Sequence, residues 1–336
     1  MSAVSGSMFA LLKRWGLDPF ILSLFAAIGL ACLQPAWGAQ HDAWSPAEVA
    51  GWGVGVIFFF YGLRLNREKL RVGLQNVRLH TLVQLTTFLL FPLLTLAVML
   101  GFDIHQNYYL WLGIFFMATL PSTVSSSVVM VSMAGGYVPA AIFNASISSL
   151  IGVFVTPLWM SLFLTAGQDA NSLNEVILSL VFQVIVPVGA GMLLHRWWGA
   201  FAEKHKRALN FFDQAVIIAI VYTSFCESFA LHMFDTVSWS LLAVLIVGMT
   251  ALFFAVYGVV WLLSRWLRFS REDRIVALFC GSKKSLVHGT VMSKVLVADH
   301  TLTGVLLLPI MIYHAMQLVV VGIIARRMAA HSDAGR

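Results

Sequence analysis

The stretch Pro121-Ser-Thr-Val-Ser-Ser-Ser127 lies inside an apolar segment that runs from about residue 108 to residue 132. Proline has no backbone N–H and disfavours the helical conformation in the residue before it. Five of the six residues that follow Pro121 carry hydroxyls, which can bond to backbone groups that a helix break leaves without partners. The stretch therefore predicts a broken helix, with Thr123, Ser126 and Ser127 as candidate site residues.

A second polar stretch, Gly281-Ser-Lys-Lys-Ser285 with His288 just after it, interrupts the apolar segment between about residues 272 and 297. A lysine near the centre of a bilayer costs ~3 kcal/mol or more on insertion scales. Two lysines lie about halfway along this segment, so we expect them to have partners or a function there. The candidate site residues of this stretch are Ser282, Lys283, Lys284, Ser285 and His288.

The composition places both stretches in an all-α polytopic membrane protein. Hydrophobic residues make up 60% of the 336 residues and charged residues 11%, against roughly a quarter charged in soluble domains. Crossing a bilayer takes ~20 apolar residues per helix, so the chain accommodates about ten transmembrane helices and no separate catalytic domain. The predicted spans lie near 18–34, 47–65, 78–100, 108–132, 138–166, 173–197, 211–231, 238–266, 272–297 and 301–327.

The basic residues fall on alternate sides of these spans. With the N-terminus in the cytoplasm, the inner segments hold 18 of the 21 Lys and Arg residues, and the outer loops hold none but carry Asp42, Asp103, Asp169, Asp235 and Asp299. Cytoplasmic loops of membrane proteins have this excess of basic residues. We therefore expect a multi-pass protein of the plasma (bacterial inner) membrane with both termini in the cytoplasm. The net charge of +6 then belongs to the loops, and we expect no nucleic-acid partner.

The first span has an alternative interpretation. Lys13 and Arg14, a short apolar run and the stretch Ala36-Trp-Gly-Ala39 also resemble a signal peptide. Its cleavage would leave nine spans. The charge alternation favours retention, because the even number of spans and the positions of the basic residues support each other.

The two polar stretches occupy matching positions. One lies in the fourth span of the first five and the other in the fourth span of the second five, and an odd number of spans makes the two halves enter the membrane in opposite directions. Broken helices in paired inverted repeats are typical of secondary transporters. We expect one membrane domain over residues 1–336, with repeat one at about 18–166 and repeat two at about 173–327. Alternatively, small and hydroxyl residues only let helices pack closely.

Further polar residues lie inside other spans. Gln84 lies in the third span, and Asn144 and Ser148 share a face of the fifth because they are four residues apart. His314 and Gln317 lie in the tenth span. A packing hydrogen bond would explain each of them individually, and Gln84, Asn144 and Ser148 are also candidate site residues.

Four stretches make the chain similar to a known family. They are Ala118–Ser127, Asn144–Pro157, Phe279–Leu286 and Leu308–Gln317. Together they resemble the bile acid:sodium symporter superfamily, and specifically its bacterial SBF-like branch of sodium-dependent transporters. The ten-span layout extends this resemblance over nearly the whole chain.

The resemblance implies two inverted five-helix repeats, with spans 1, 2, 6 and 7 in a panel domain and the others in a core domain where the broken spans 4 and 9 cross. In the bile-acid branch, sodium is held near that crossing. Carried over, Gln84 matches a glutamine ligand, Ser126 and Ser127 a Ser-Asn pair, Ala140 and Asn144 a serine and a threonine, Phe279 or Cys280 a glutamate, and Lys283 a glutamine. The anionic ligand is therefore missing and a cation is present, which calls sodium coupling and a bile-acid substrate into question.

These observations predict a secondary transporter of a small organic anion that works by alternating access at the crossing, and not an enzyme. Lys283 or Lys284 would take the volume and charge of a sodium ion or carry a proton, so Na+ and H+ both stay open as the coupling ion. We expect no catalytic residue, no cofactor and no resident metal, with the lipid bilayer as partner. The identity of the substrate and the oligomeric state stay open.

Two other functions stay open. A cation/proton antiporter of related architecture normally places acidic residues at the crossing, and no Asp or Glu lies near either polar stretch. An intramembrane enzyme would use a Ser-Lys dyad, with Ser126 or Ser285 as the nucleophile.

Reporter fusions test the predicted orientation. Green fluorescent protein fused after Arg336 is expected to fluoresce in bacterial cells, and alkaline phosphatase fused there is expected to be inactive, because the last segment is basic and faces the cytoplasm. A fusion after Asp169, in a predicted outer loop, is the matched control and should give the opposite signals. Active phosphatase after Arg336 would contradict the topology.

Overall fold

Helices dominate the part of the chain that the structure describes. The computed structural model describes residues 19–39, 45–64, 76–102, 107–164, 182, 186–230, 232, 238–296 and 303–333, and no strand occurs among them. The helices are α1 (Pro19–Leu33), α2 (Pro46–Arg64), α3 (Val77–Met99), α4 (Tyr108–Thr119), α5 (Ser125–Met133), α6 (Val138–Leu164), α7 (Val186–Lys204), α8 (Lys206–Ala230), α9 (Trp239–Trp266), α10 (Arg271–Gly281), α11 (Leu286–Leu296) and α12 (Thr303–Asp333).

Among the described residues, five helices are long and apolar enough to cross a membrane, namely α3, α6, α8, α9 and α12. Shorter apolar stretches lie in α1, α2 and α4. Large apolar side chains also cover the outside of the protein, for example Trp52 at 80% and Trp239 at 87% exposed. Such a surface suits contact with lipid rather than water. The chain is therefore an all-α membrane protein, as its composition predicts, and the total of ten passes stays a prediction.

The fourth and ninth predicted spans are each divided into two helices. α4 ends at Thr119 and α5 begins at Ser125, with Leu120 extended at a ψ of 151°. Pro121 accounts for this end, because a proline pushes the residue before it out of the helical region. α10 ends at Gly281 and α11 begins at Leu286. Both interruptions lie at the polar stretches of the sequence.

Helix α3 is irregular in its middle. Thr86–Leu90 form a π-helical segment between two α-helical ones, and Pro92 follows it. The carbonyls of Thr87 and Phe88 lie five and four residues before a proline that has no N–H to donate. Side chains from other helices can therefore bond to these two carbonyls.

The helices pack in two groups. α1, α2, α7 and α8 contact one another, and α3–α6 and α9–α12 form the second group, which contains both breaks. In the first group α2 and α7 approach closely at Gly62 and Gly191, where a Cβ atom on either residue would meet the backbone of the other helix. The two groups meet where α8 packs on α11 and α12.

Some predicted features lie outside the described residues. They are the N-terminal Lys13 and Arg14, the aspartates of the outer loops, and most of the sixth predicted span before Val186. The rest of that span is the first part of α7. Ala36–Ala39, at the end of the alternative signal peptide, lies within the described chain and overlaps a short 3-10 turn at Pro35–Trp37. Both interpretations of the first span, as a retained helix and as a signal peptide, therefore stay open.

Gly152 of α6 lets Pro121 approach that helix. A Cβ atom at position 152 would lie 2.7 Å from the proline ring, whereas nothing lies within 4 Å of a Cβ atom at Gly248 in α9. We expect Gly152→Ala to displace the break and destabilise the protein by ~1–3 kcal/mol through overpacking. Gly248→Ala is the control, because alanine gains helix propensity there without a clash. Thermal unfolding midpoints of the purified variants measure both effects, and equal midpoints would contradict the described packing.

Candidate functional site

The first break leaves backbone groups at the end of α4 without helical partners, and side chains from other helices bond to them. Thr156 Oγ1 donates to Thr119 O at 2.8 Å, and Ser122 N donates to Ser148 Oγ at 3.0 Å. Ser285 N donates to Pro121 O at 2.9 Å. Lys284 bonds to two further carbonyls at this break. Inside a membrane these groups have no water to bond, so such contacts are required for the break to exist. Ser148 therefore has a structural partner in the break.

The second break is held by α12. Tyr313 donates its hydroxyl to Ser282 O at 2.7 Å. The Gln317 side chain accepts from the Lys284 N–H and donates to the Lys284 carbonyl, both at 2.8 Å. An amide side chain thus replaces the backbone bonds that a continuous helix would supply. Since Ser285 N–H bonds to the first break, the two breaks are in direct contact.

Lys284 lies between the breaks and is fully bonded. It is 0% exposed, and its ammonium donates to the carbonyls of Thr87 at 2.7 Å, Ala118 at 2.6 Å and Leu120 at 2.8 Å. Its Nζ also lies 4.2 Å from the centre of the Phe91 ring, within the range of a cation–π interaction. Two of the carbonyls are the negative end of the α4 dipole. This cation is therefore satisfied without a carboxylate.

Lys283 points to a different set of groups. It is also 0% exposed, and its Nζ donates to Ser126 Oγ at 2.6 Å. The Ser126 hydroxyl donates to Thr123 Oγ1 at 2.9 Å, and Thr123 bonds to Ser127 Oγ at 2.9 Å. Ser127 then donates to Phe279 O at 3.4 Å, one turn before Lys283. This hydroxyl chain, Ser126–Thr123–Ser127, joins the start of α5 to the end of α10.

The coordination of Lys283 is incomplete among the described residues. An ammonium carries three N–H donors, and Ser126 Oγ is the one acceptor that it reaches within this part of the chain. Neighbouring Lys284 has three acceptors for its three donors. The two lysines are adjacent in sequence and equally buried, but among the described residues only Lys283 has donors available for a ligand.

Gln84 and Asn144 form a separate pair between α3 and α6. Gln84 Nε2 donates to Asn144 O at 3.2 Å and lies 3.3 Å from Asn144 Oδ1. Gln84 Oε1 is buried without a hydrogen-bond partner among the described residues. No hydrogen bond within the described chain connects this pair to Lys283. A free buried acceptor is available here for a cation or for a donor on a ligand.

His288 lies where the two groups of helices meet. Its ring stacks on Tyr61 of α2 with 5.1 Å between centroids and 15° between planes. Ser285 Oγ accepts from the His288 N–H at 3.3 Å and lies 2.9 Å from Nδ1, so Ser285 caps the start of α11. His288 Nε2 is buried and has no hydrogen-bond partner among the described residues.

The predicted site residues are thus brought into distinct sets. Lys283 bonds to Ser126, which is linked to Thr123 and Ser127. Lys284 and Ser285 bond to the first break from the second, and Ser148 bonds to the first break from α6. Gln84 pairs with Asn144, and His288 bonds to Ser285. Ser282 is different, because its hydroxyl donates to Leu278 O of its own helix at 2.6 Å. Among the described residues, its hydroxyl therefore has no hydrogen bond to the other candidates.

Sequence reasoning missed several residues that hold the site. They are Tyr313, Thr156 and Trp159, which donate to carbonyls of the second break, the first break and α3. Trp159 Nε1 donates to Phe88 O at 2.8 Å, the carbonyl four residues before Pro92. The prolines were a usable signal, since each one marks carbonyls that require a donor from elsewhere.

Comparison with known proteins places the chain in a family. The profile of the SBF-like CPA transporter family matches residues 18–330. The chain belongs to this family. The resemblance to the bile acid:sodium symporter superfamily, inferred from four sequence stretches, is confirmed.

Relatives align with this transporter over almost its whole length. An uncharacterized protein of Pseudomonas aeruginosa is 39% identical over 94% of each chain. YfeH of Escherichia coli K12, which bears the provisional name of a symporter, is 34% identical over 94% of each chain. The mouse protein named sodium/bile acid cotransporter 7 is 30% identical over 92% of this chain and 91% of its own.

Tyr313→Phe tests whether α12 holds the second break. The variant leaves the buried Ser282 carbonyl without its donor, so we expect a loss of ~1–3 kcal/mol in stability, seen as a lower unfolding midpoint. Tyr257→Phe is the matched control, because the Tyr257 ring packs on Phe253 but its hydroxyl has no hydrogen-bond partner among the described residues. A Tyr313→Phe midpoint equal to that of the control would contradict this role.

Proposed function

We propose that this transporter carries a small organic anion through the crossing of its two broken segments, by alternating access. Family membership supports transport as the activity. The incomplete coordination of Lys283 supports an anion as the substrate. Gln84, Asn144 and His288 are proposed as further contacts for the substrate or the coupling ion.

The observation that carries the proposal is the buried Lys283 ammonium with one acceptor among the described residues. An unpaired charge in a low-dielectric interior is strongly unfavourable. A carboxylate has two oxygens that can accept the two remaining N–H groups, and such charge-assisted bonds are stronger than neutral ones. The substrate that fits this lysine is therefore an anion small enough to enter a closely packed crossing.

Two further buried atoms have the chemistry to contact such a substrate. The Ser285 hydroxyl accepts from the His288 backbone N–H and can donate to Nδ1, which leaves the proton of a neutral imidazole on Nε2. His288 Nε2 then offers a donor, and Gln84 Oε1 offers an acceptor for a substrate hydroxyl or a cation. Both atoms have no hydrogen-bond partner among the described residues.

Alternating access requires two bodies that move against each other. We propose that α1, α2, α7 and α8 form the panel and that the remaining helices form the core, as two inverted five-helix repeats. The separate packing of the two groups and the breaks in the fourth and ninth spans support this arrangement. The flat stack of Tyr61 on His288 lies at their boundary, next to a break, so it would have to change as the two bodies move.

The charge of Lys283 also bears on which ion is coupled to transport. The resemblance implies a glutamine ligand for sodium at the position of Lys283, and a fixed ammonium there repels a metal cation. We propose that uptake needs no sodium at this position, and that a proton carried by Lys283 or the charge of the bound anion takes over that role. Sodium held at Gln84 and Asn144 is the competing possibility.

One observation favours a second function, because Lys283 Nζ and Ser126 Oγ lie 2.6 Å apart, as in a Ser-Lys dyad. The charge on Lys283 argues against it. An ammonium has three N–H donors and no lone pair, whereas a general base must accept the proton of the nucleophile. Loss of a substrate bond that Ser126→Ala abolishes would establish the enzyme instead.

Uptake into proteoliposomes tests the proposal. We expect the purified protein to accumulate at least one member of a panel of radiolabelled mono- and dicarboxylates, with taurocholate included as a bile acid, without a sodium gradient. Lys283→Gln should lower that uptake roughly 10- to 100-fold, because a charge-assisted bond to the anion is lost. Lys204→Gln, at an exposed lysine, is the control and should transport normally.

The outcomes separate the alternatives. Strong sodium dependence that survives Lys283→Gln unchanged would contradict the role of Lys283. Absence of uptake for every anion, together with cation-driven changes in a pH-gradient dye, would replace the proposal by a cation/proton antiporter.

A further inference from the structure

Lys284 is bonded like a cation in an oxygen site and not like a lysine in an ion pair. Its three donors meet three backbone carbonyls at 2.6–2.8 Å, and an aromatic ring lies beside the ammonium. Rings of carbonyl oxygens around a buried point are how proteins replace the hydration shell of a monovalent cation. The Lys284 ammonium takes the place of such a cation and is covalently attached to the chain.

The three oxygens belong to two helices, and within the described part of the chain Lys284 is the side chain that donates to them. Thr87 O in α3 faces the position of Pro92, which has no N–H. The helical hydrogen bonds of α4 end at the break, so Ala118 O and Leu120 O have no helical partner either. Without a cation at this point, three buried carbonyls would face one another unbonded. The ammonium therefore joins α3 to α4.

We propose that Lys284 is a tethered cation that fills a carbonyl site built for a monovalent cation, and that removing its side chain opens this site to a free one. The site would take a primary alkylammonium or an alkali metal ion, because all of its ligands are neutral oxygens. Its role is to hold α3 against the broken end of α4. The inference does not rest on anion transport, since Lys284 has no N–H left for a substrate.

Adjacent Lys283 provides the internal comparison. Both lysines are 0% exposed, but Lys283 bonds to one movable hydroxyl, whereas Lys284 bonds to three fixed backbone groups. Loss of the Lys283 ammonium leaves one hydroxyl to find another partner. Loss of the Lys284 ammonium leaves three buried backbone carbonyls without a donor, and they cannot rotate to find another partner. A stabilising role therefore belongs to Lys284.

Chemical rescue of stability tests this assignment. Alanine at position 284 removes the atoms of propylammonium, so the probe is propylammonium chloride, with potassium and sodium chloride as smaller cations and propanol as the neutral control. We expect Lys284→Ala to lower the unfolding midpoint of the purified protein by roughly 10 °C. Propylammonium should restore at least half of this shift in a saturable manner, and propanol should restore none.

Two further variants keep the test decisive. Lys284→Met fills the same volume without charge and should be destabilised like Lys284→Ala, whereas Lys283→Met should lose much less. If Lys284→Ala yields no folded protein, the comparison of the two methionine variants decides. A Lys284→Met protein as stable as Lys283→Met, or a rescue by propanol equal to that by propylammonium, would overturn the proposal.

Discussion

Backbone N–H and C=O groups inside a bilayer find no water, so each of them must be bonded within the protein. Pro92, Pro121 and the polar stretch at 282–285 remove helical bonds at three places that lie close together in this fold. The surrounding helices are arranged to repair this loss. Thr156, Tyr313 and Gln317 bond to freed backbone groups from outside, and Ser285 N–H joins one break to the other.

The two adjacent lysines follow from this constraint in opposite ways. Lys284 completes the repair, because its three donors match three orphan carbonyls. Lys283 lies next to it in the same break and bonds to a hydroxyl chain, and two of its three N–H donors have no acceptor among the described residues. Within the described part of the chain, a break held by many hydrogen bonds thus contains a cation whose donors are not all bonded. Rigid support next to an incompletely bonded group is what a ligand site requires.

Much of the fold is predictable from the sequence, because apolar length and proline act locally. The break at Pro121 follows from the steric restriction on Leu120, and the second break lies where two lysines interrupt an apolar helix. The site is less predictable, because the hydrogen-bond partner of each side chain depends on how helices distant in sequence pack together. Nothing local distinguishes Lys283 from Lys284, and nothing local shows that the hydroxyl of the candidate Ser282 donates to Leu278 O in α10. The π segment in α3, which aims Thr87 O at Lys284, has no clear sequence signature beyond Pro92.

The central claim is that the anion meets the protein at Lys283. Electron cryo-microscopy of the protein with a transported carboxylate bound tests it most directly. We expect ligand density within hydrogen-bond distance of Lys283 Nζ, with the bonds of Lys284 to its three carbonyls unchanged. Density at another position, with Lys283 still bonded only to Ser126, would contradict the account.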